Sequence, residues 1–454
     1  GSELMPSGRK PKPNFTVPRC RVVAATVCAL LTCSPAAAEP VSIHQAAASE
    51  LMAKANIKSS RKAPRRNTSP PVAAQPPAPL KVLSRNEILE ADPAILERLG
   101  RHIVIGYHNP QTVRALVEKK AIAGIFITDH NVRRRKVADV RAEIDALQQI
   151  RAGQDLPPLI IAADQEGGAV ARLTPPLIRQ PSLARVLRTL KSGESARDAV
   201  TAYARKQATE LKRIGVNLNF APVVDLKLDP KRRSDGETQL RHRALSSDPK
   251  VVSDAAGWYC DALAEEGVYC TIKHFPGLGR VKLDTHRRVG DIKAPLIELK
   301  GADWIPFRDL MGRPHVVTML GHVRLREVDG ETPASFSTRV IDGLIRTEWD
   351  HKGLLITDDF SMGAVTRAKE GIGTAAVKAL NAGADIVLIS FSDKHLNTVM
   401  TALIDAEKQG QFDAGVRAAS LERLKRLPAA QAPPIAEPAA SPDSIPANGT
   451  AAVP

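Results

Sequence analysis

Eight short, almost wholly apolar runs recur between residues 102 and 390, and most are separated by stretches with the apolar period of an amphipathic helix. The runs are "HIVIGY" (102–107), "AGIFIT" (123–128), "PLIIAA" (158–163), "NLNFAPVV" (217–224), "VYCTIK" (268–273), "HVVTML" (315–320), "GLLIT" (353–357) and "DIVLIS" (385–390). A strand that is apolar on both faces must be covered on both faces, which points to a parallel sheet wrapped in helices. The separators include "RDAVTAYARKQATELKRIG" (197–215), "VVSDAAGWYCDALAEEG" (251–267) and "RVIDGLIRTEWDHKG" (339–353). Eight such β/α units predict an α/β fold, a single (β/α)8 TIM barrel. A doubly wound open sheet is the alternative, but no Gly-x-Gly-x-x-Gly follows the first run.

Outside this region the composition changes. Gly1–Leu4 precedes Met5 and reads as a cloning scar. A basic stretch follows (Arg9, Lys10, Lys12, Arg19, Arg21), then the apolar run "VVAATVCALL", then Ala36-x-Ala38 before Glu39. That is the pattern of a secretory signal cleaved after Ala38, with an apolar run too short to span a bilayer. Thr32 before Cys33 fits lipoprotein processing poorly, so a lipid anchor is the weaker reading. The expected organisation is scar and signal over 1–38, a basic Pro/Ala-rich linker over 39–80, the barrel over 81–427 and a Pro/Ala-rich tail over 428–454. Linker and tail are expected to be disordered, and the mature protein to be periplasmic or secreted.

The formal charge of +15 invites a nucleic-acid reading. More than half of that excess lies in the first 80 residues, which hold 11 Lys/Arg against 3 Asp/Glu. Aromatic residues make up only 4% of the chain, leaving little on which bases could stack. No nucleic-acid partner is expected. The basic linker suits electrostatic attachment to an anionic wall or membrane surface instead. Three of the five cysteines (Cys20, Cys28 and Cys33) fall in the signal. Cys260 and Cys270 remain, as one bridge or as two buried thiols.

In a barrel, chemistry gathers at the carboxyl ends of the strands. The third run ends in Asp164-Gln165-Glu166-Gly167-Gly168 and the fourth in Asp225. The fifth ends in Lys273-His274, the sixth leads to His322, and the seventh runs into Asp358-Asp359. Any one of these could be a helix cap, but five in succession predict a polar pocket. His274, His286 and Asp284 could in principle hold a metal, yet no compact zinc pattern such as His-Glu-x-x-His occurs, and no metal or cofactor is expected. The stretch "KHFPGLGR" lacks the Gly-Lys-Ser/Thr ending of a phosphate loop. A carboxylate after the seventh run and the Asp284-Thr285-His286 loop make a different pair. A carboxylate can attack an anomeric carbon, and an imidazole can give and take the proton of the leaving oxygen. An aspartate two residues away can fix the ring's tautomer.

These residues lie in segments that resemble glycoside hydrolase family 3, most closely its β-N-acetylhexosaminidase (NagZ-type) branch. The segments are "ADQEGGAVARL" (163–173), "NLNFAPVVDL" (217–226), "HRALSSDP" (242–249), "KHFPGLG" (273–279), "DTH" (284–286), "PASFSTRVIDGLIRTEWDHKGLLITDDFSMGA" (333–364) and "AGADIVLIS" (382–390). The resemblance implies a retaining, two-step hydrolysis that releases terminal N-acetylglucosamine from peptidoglycan fragments or chitooligosaccharides. It implies Asp358 as nucleophile and His286 as acid/base with Asp284 as its partner, Asp359 being structural. Asp164, Arg172, Arg243, Lys273 and His274 would grip the hydroxyls and the N-acetyl group. The implied partner is an amino-sugar oligosaccharide, and a monomer is expected.

The chain departs from the family at Gly277-Leu278-Gly279-Arg280, where Gly-His-Gly then Asp is usual, and at Ala169, where Arg is usual. It departs again at "RRVGDIKAP" (287–295). The departures surround a dyad loop expected to swing over the sugar. Two further readings stay open. One is a phosphorylase, because histidine does not repel phosphate and Arg280, Arg287 and Arg288 add positive charge nearby. The other is a non-catalytic wall-binding protein.

Overall fold

The computed structural model describes residues 80–228, 238–281, 284–390 and 393–427. The expected signal, nearly all of the linker, and the tail lie outside the described residues. Eight strands follow in chain order: β1 (Ile103–Gly106), β2 (Gly124–Ile127), β3 (Ile160–Ala163), β4 (Leu218–Asn219), β5 (Tyr269–Phe275), β6 (Val316–Leu320), β7 (Leu354–Thr357) and β8 (Val387–Ile389). They bond in the order β7-β6-β5-β4-β3-β2-β1-β8, every pair parallel. The Ile356–Ile386 bridge joins β7 to the start of β8 and closes the ring. Each expected run supplies one strand, so the fold is the TIM barrel and not the open sheet.

The two-residue period of a strand explains why the runs are apolar throughout. Val104, Phe126, Ile160, Ala162, Leu218, Phe220, Val317, Met319, Leu354, Ile356 and Leu388 cluster inside the barrel. Their neighbours Ile103, Ile105, Ile125, Ile127, Ile161, Leu355, Val387 and Ile389 join the larger cluster with the helices. Both faces are thus buried.

The helices follow equally local rules. Ala196–Ile214 starts where Ser195 accepts the Asp198 N–H, and buries Val200, Tyr203, Ala204, Gln207, Ala208, Leu211 and Ile214 at three- and four-residue spacing. It stops at Gly215, whose φ of 96° is a left-handed cap that other residues adopt at a cost of about 1 kcal/mol. Arg339–Glu348 differs from the expected α-helix. It is wound as a π-helix, closed by Trp349 N–H on Leu344 O. Its apolar positions (Val340, Ile341, Leu344, Ile345) suit either winding, so periodicity alone does not separate the two. Cys260, on helix Pro249–Glu265, is disulfide-bonded to Cys270 on β5. Of the two readings for this pair, the bridge is the one observed.

Candidate active site

The top inner layer of the barrel (Phe126, Phe220, Met319 and Leu388) floors a cavity of about 240 Å³. Asp164, Arg172, Arg243, Lys273, His274, His286 and Asp358 stand around it. These are seven of the eight residues singled out from the sequence. The eighth, Asp284, stands behind His286, in contact with its ring.

Asp358 follows β7 directly, its N–H bonded to Leu320 O at 2.9 Å on neighbouring β6. Its Oδ1 accepts the Asp359 N–H at 2.8 Å. No other hydrogen bond to the carboxylate is present among the described residues, which leaves Oδ2 open to the cavity. Burial alone would raise this carboxyl, but the positive edges of the His274, His322 and His286 rings hold it below the ordinary aspartate value. It is therefore ionised at neutral pH. Asp359 is fully occupied elsewhere: its Oδ1 takes the N–H groups of Ser361 and Ser390 at 2.8 and 2.9 Å, and its Oδ2 takes the Ser390 hydroxyl. Asp359 thus ties the end of β7 to the end of β8.

His322 supports this pair from below. Its Nε2 lies 2.9 Å from the Asp359 carbonyl, which can only accept, so Nε2 carries the proton. Burial lowers the ring's basicity, so Nδ1 is bare and accepts the Ser335 hydroxyl at 2.8 Å.

The dyad comes from the segment after β5. Asp284 Oδ1 accepts the His286 backbone N–H at 3.0 Å and lies 2.9 Å from Nδ1 of the same ring. Nδ1 therefore donates to the carboxylate, and Nε2 is left to exchange a proton with whatever occupies the cavity. The Thr238 hydroxyl reaches the same Asp284 oxygen at 3.2 Å. The His286 carbonyl takes the Gly363 N–H at 2.9 Å, just past β7, and Gly290–Ile292 pairs with Val323–Leu325 beyond β6. The loop expected to swing is docked over the rim here.

Lys273 lies near the carboxyl end of β5, two residues before Phe275, and is buried. Its Nζ sits between Asp164 Oδ1 at 2.6 Å and Glu166 Oε1 at 2.7 Å. Burial opposes its charge, but Asp164 and Glu166 overcome this and raise the amine above its usual range. Arg243 grips both oxygens of Glu166 from Nε and Nη2, at 2.9 and 2.6 Å. Burial would raise Glu166, yet Arg243 and Lys273 bring it down to about 2. Arg172 is exposed at the cavity mouth, and its guanidinium has no hydrogen-bond or ion-pair partner among the described residues. That makes it a donor fork ready for a ligand.

His274 is joined to Lys273 by a cis peptide. Its N–H and Nδ1 contact the two oxygens of buried Asp225 at 3.1 and 2.7 Å, which directs Nε2 outward. The same Asp225 takes the Leu278 N–H at 2.7 Å. Gly279 lies so close to the Leu226 carbonyl that a Cβ would fall 2.3 Å from its oxygen, so only glycine fits. Arg280 departs from the expectation of a phosphate-ready cation. It turns away from the cavity and pairs with Asp303 at 2.9 Å and Glu298 at 3.1 Å.

Three features were not singled out from the sequence. The sequence places Glu166 and Asp225 at the rim but does not show their clamping roles. Asp129 and His130, which follow β2 and line the cavity, were passed over. Their signal was the same as at the other strands, a charged pair directly after an apolar run.

Comparison with known proteins identifies the family. Residues 94–427 match the family model "Glycosyl hydrolase family 3 N terminal domain". The chain is 30% identical over 343 residues to beta-hexosaminidase LpqI of Mycobacterium tuberculosis, covering 74% of this chain and 84% of that protein. It is 31% identical over 279 residues to a beta-hexosaminidase of Pseudomonas aeruginosa, covering 61% of this chain and 77% of the other. Among solved structures, a glycosyl hydrolase of the same family from Mycobacterium smegmatis superposes with TM-score 0.65 at 31% identity, covering 75% and 98% of the two chains. A β-N-acetylglucosaminidase from Paenibacillus sp. superposes with TM-score 0.66 at 28% identity, over 73% of this chain and 61% of that longer one.

Proposed function

This chain belongs to glycosyl hydrolase family 3 and is a glycoside hydrolase, and from that premise we propose that it is a retaining β-N-acetylhexosaminidase. It removes a terminal, non-reducing N-acetylglucosamine from peptidoglycan fragments or chitooligosaccharides. The observation that carries the reading is the shared cavity. An ionised carboxylate with one open oxygen and an imidazole already oriented by Asp284 line the same small space.

The reaction runs in two displacements. In the first, Asp358 Oδ2 attacks the anomeric carbon while the His286 imidazolium gives its Nε2 proton to the glycosidic oxygen. The aglycone leaves as an alcohol, and the sugar remains as an ester of Asp358. In the second, neutral His286 takes a proton from water through Nε2 as the water oxygen attacks the same carbon. The ester bond to Asp358 breaks, and both groups return to their starting states. Asp284 stays ionised and stabilises the imidazolium formed in each cycle. Asp164, Arg172, Arg243, Lys273 and His274 hold the sugar by charge-assisted hydrogen bonds.

Work outside the cytoplasm is part of the proposal. The N-terminal pattern supports export, and the Cys260–Cys270 bond is the kind that persists in an oxidising compartment. The basic segment before the barrel would hold the enzyme near anionic wall polymer.

The proposal is tested with an aryl N-acetyl-β-glucosaminide, with and without added phosphate, on wild type and a folded Asp358→Ala variant. Hydrolysis by wild type alone supports it. Sugar 1-phosphate appearing with added phosphate would mark a phosphorylase, and no turnover by wild type would mark a binding protein.

A further inference from the structure

A second cavity lies at the opposite, amino-terminal end of the barrel. At about 370 Å³ it is larger than the candidate active site. Three pieces of chain build it: the turn from helix Ile305–Leu310 into β6, the turn Trp349–Gly353 leading into β7, and Arg426 beyond helix Ala414–Leu424. Asp350 takes a left-handed φ of 49° within the second turn.

The charges on its wall are unequal. Arg308, Arg313, Lys352 and Arg426 face Asp350 as the one lining carboxylate. Lys352 pairs with Asp350. Arg313 is neutralised from outside the cavity by Asp261, with both oxygens at 2.8 Å. Arg308 and Arg426 have no carboxylate partner among the described residues. Arg308 lies over the Trp349 ring, 5.3 Å from its centroid, and Arg426 donates to the Lys352 carbonyl at 3.1 Å.

Two polar atoms behind this wall, Trp349 Nε1 and His351 Nε2, are buried without partners and closed to solvent, so they do not face the cavity. His351 is only 5% exposed. Its ring edge packs on Gly353, so closely that a Cβ there would stand 2.8 Å from Nε2. Burial, then Arg346, keep this ring uncharged near neutral pH. A roomy cavity with two guanidiniums that lack carboxylate partners is arranged for negative charge.

We propose that this cavity is a binding site for a small oxyanion-bearing molecule, held by Arg308 and Arg426 and separate from the candidate active site. A phosphate ester and a polycarboxylate share the chemistry, and guanidinium forks accept either. The site needs nothing from the sugar-binding end of the barrel, so it stands whether or not the proposed activity does.

Trp349 supplies the test, because an anion that draws Arg308 off its ring changes its emission. The full chain is titrated with inorganic phosphate in one arm and citrate in the other, in an Arg172→Ala background that removes the free guanidinium of the other cavity. Saturable emission change is expected in at least one arm. It should be lost in Trp349→Phe and weakened at least tenfold in Arg308→Ala/Arg426→Ala. Melting temperature and circular dichroism report that the double variant is folded. An Arg308→Lys/Arg426→Lys variant should keep partial binding. No saturable change in either arm, or an equal change in the folded double alanine variant, would overturn the proposal.

Discussion

One oxygen of Asp284 serves His286 twice: Oδ1 accepts the histidine's backbone N–H at 3.0 Å and stands 2.9 Å from its Nδ1. The first contact fixes where the residue sits and the second fixes which nitrogen keeps a proton. A hydroxyl from Thr238 on the same oxygen, at 3.2 Å, leaves the carboxylate little freedom. Position and tautomer are thus set by a single group.

Asp284→Asn separates these two effects. The amide can still accept the backbone N–H, but it cannot stabilise an imidazolium. The expected result is a fall in kcat of about 10²–10⁴-fold with KM little changed. Steady-state kinetics on an aryl glucosaminide checks it. A loss carried by KM alone would place Asp284 in binding.

Substitution of His286 should depend on the leaving group. With an alkyl or sugar aglycone, His286→Ala loses proton donation and should slow by about 10²–10⁴-fold. With dinitrophenolate, which departs without a proton, the first displacement should survive and the second become limiting. Pre-steady-state absorbance would then show a burst. Equal losses for both substrates would remove His286 from the acid role.

The pH dependence follows from Asp358. Its carboxyl lies below the ordinary value in the folded protein, so the group stays ionised until pH falls below about 3.9. The acid limb of kcat/KM should therefore lie under that value. It should move upward in His274→Ala, which removes the ring that does most to hold the carboxyl down. Initial rates after brief pH jumps measure this, and an acid limb above 5 in wild type would contradict it.

Glu166 gives a stability prediction. Its pKa falls from 4.5 to about 2 on folding. A depressed carboxylate contributes stability that is fully present above its unfolded pKa and is lost as pH falls through the folded one. The wild type should thus lose stability between about pH 4.5 and 2, and Glu166→Ala less steeply. Leaving Lys273 and Arg243 short of their shared anion should cost about 3–5 kcal/mol at pH 7. Urea denaturation at pH 7 and pH 3 provides both numbers.

Much of this architecture is legible in the sequence. Each apolar run supplies a strand, because a strand covered on both faces is apolar at most of its positions. Asp358 and Lys273-His274 stand out because they close apolar runs; Asp358 follows its strand, whereas Lys273 and His274 lie within the last residues of β5 itself. Partnerships were harder to read. Glu166 meets Arg243 and Lys273 far along the chain, and such pairs exist only once the barrel curls. The same holds for Arg280, whose turn toward Asp303 and Glu298 depends on how the helices after β5 pack. Sequence spacing could bring Cys260 near Cys270 but could not say that a helix and a strand would present them face to face. The π-winding of Arg339–Glu348 was hidden because its apolar pattern fits two hydrogen-bond registers.

The most direct test of the account is a search for the sugar ester on Asp358. His286→Ala is mixed with the dinitrophenyl N-acetyl-β-glucosaminide, quenched with acid during the burst, digested and mapped by mass spectrometry. The account predicts one N-acetylhexosaminyl unit on the peptide carrying Asp358, and none when Asp358→Ala is added. Turnover without any adduct, or an adduct on another residue, would contradict it.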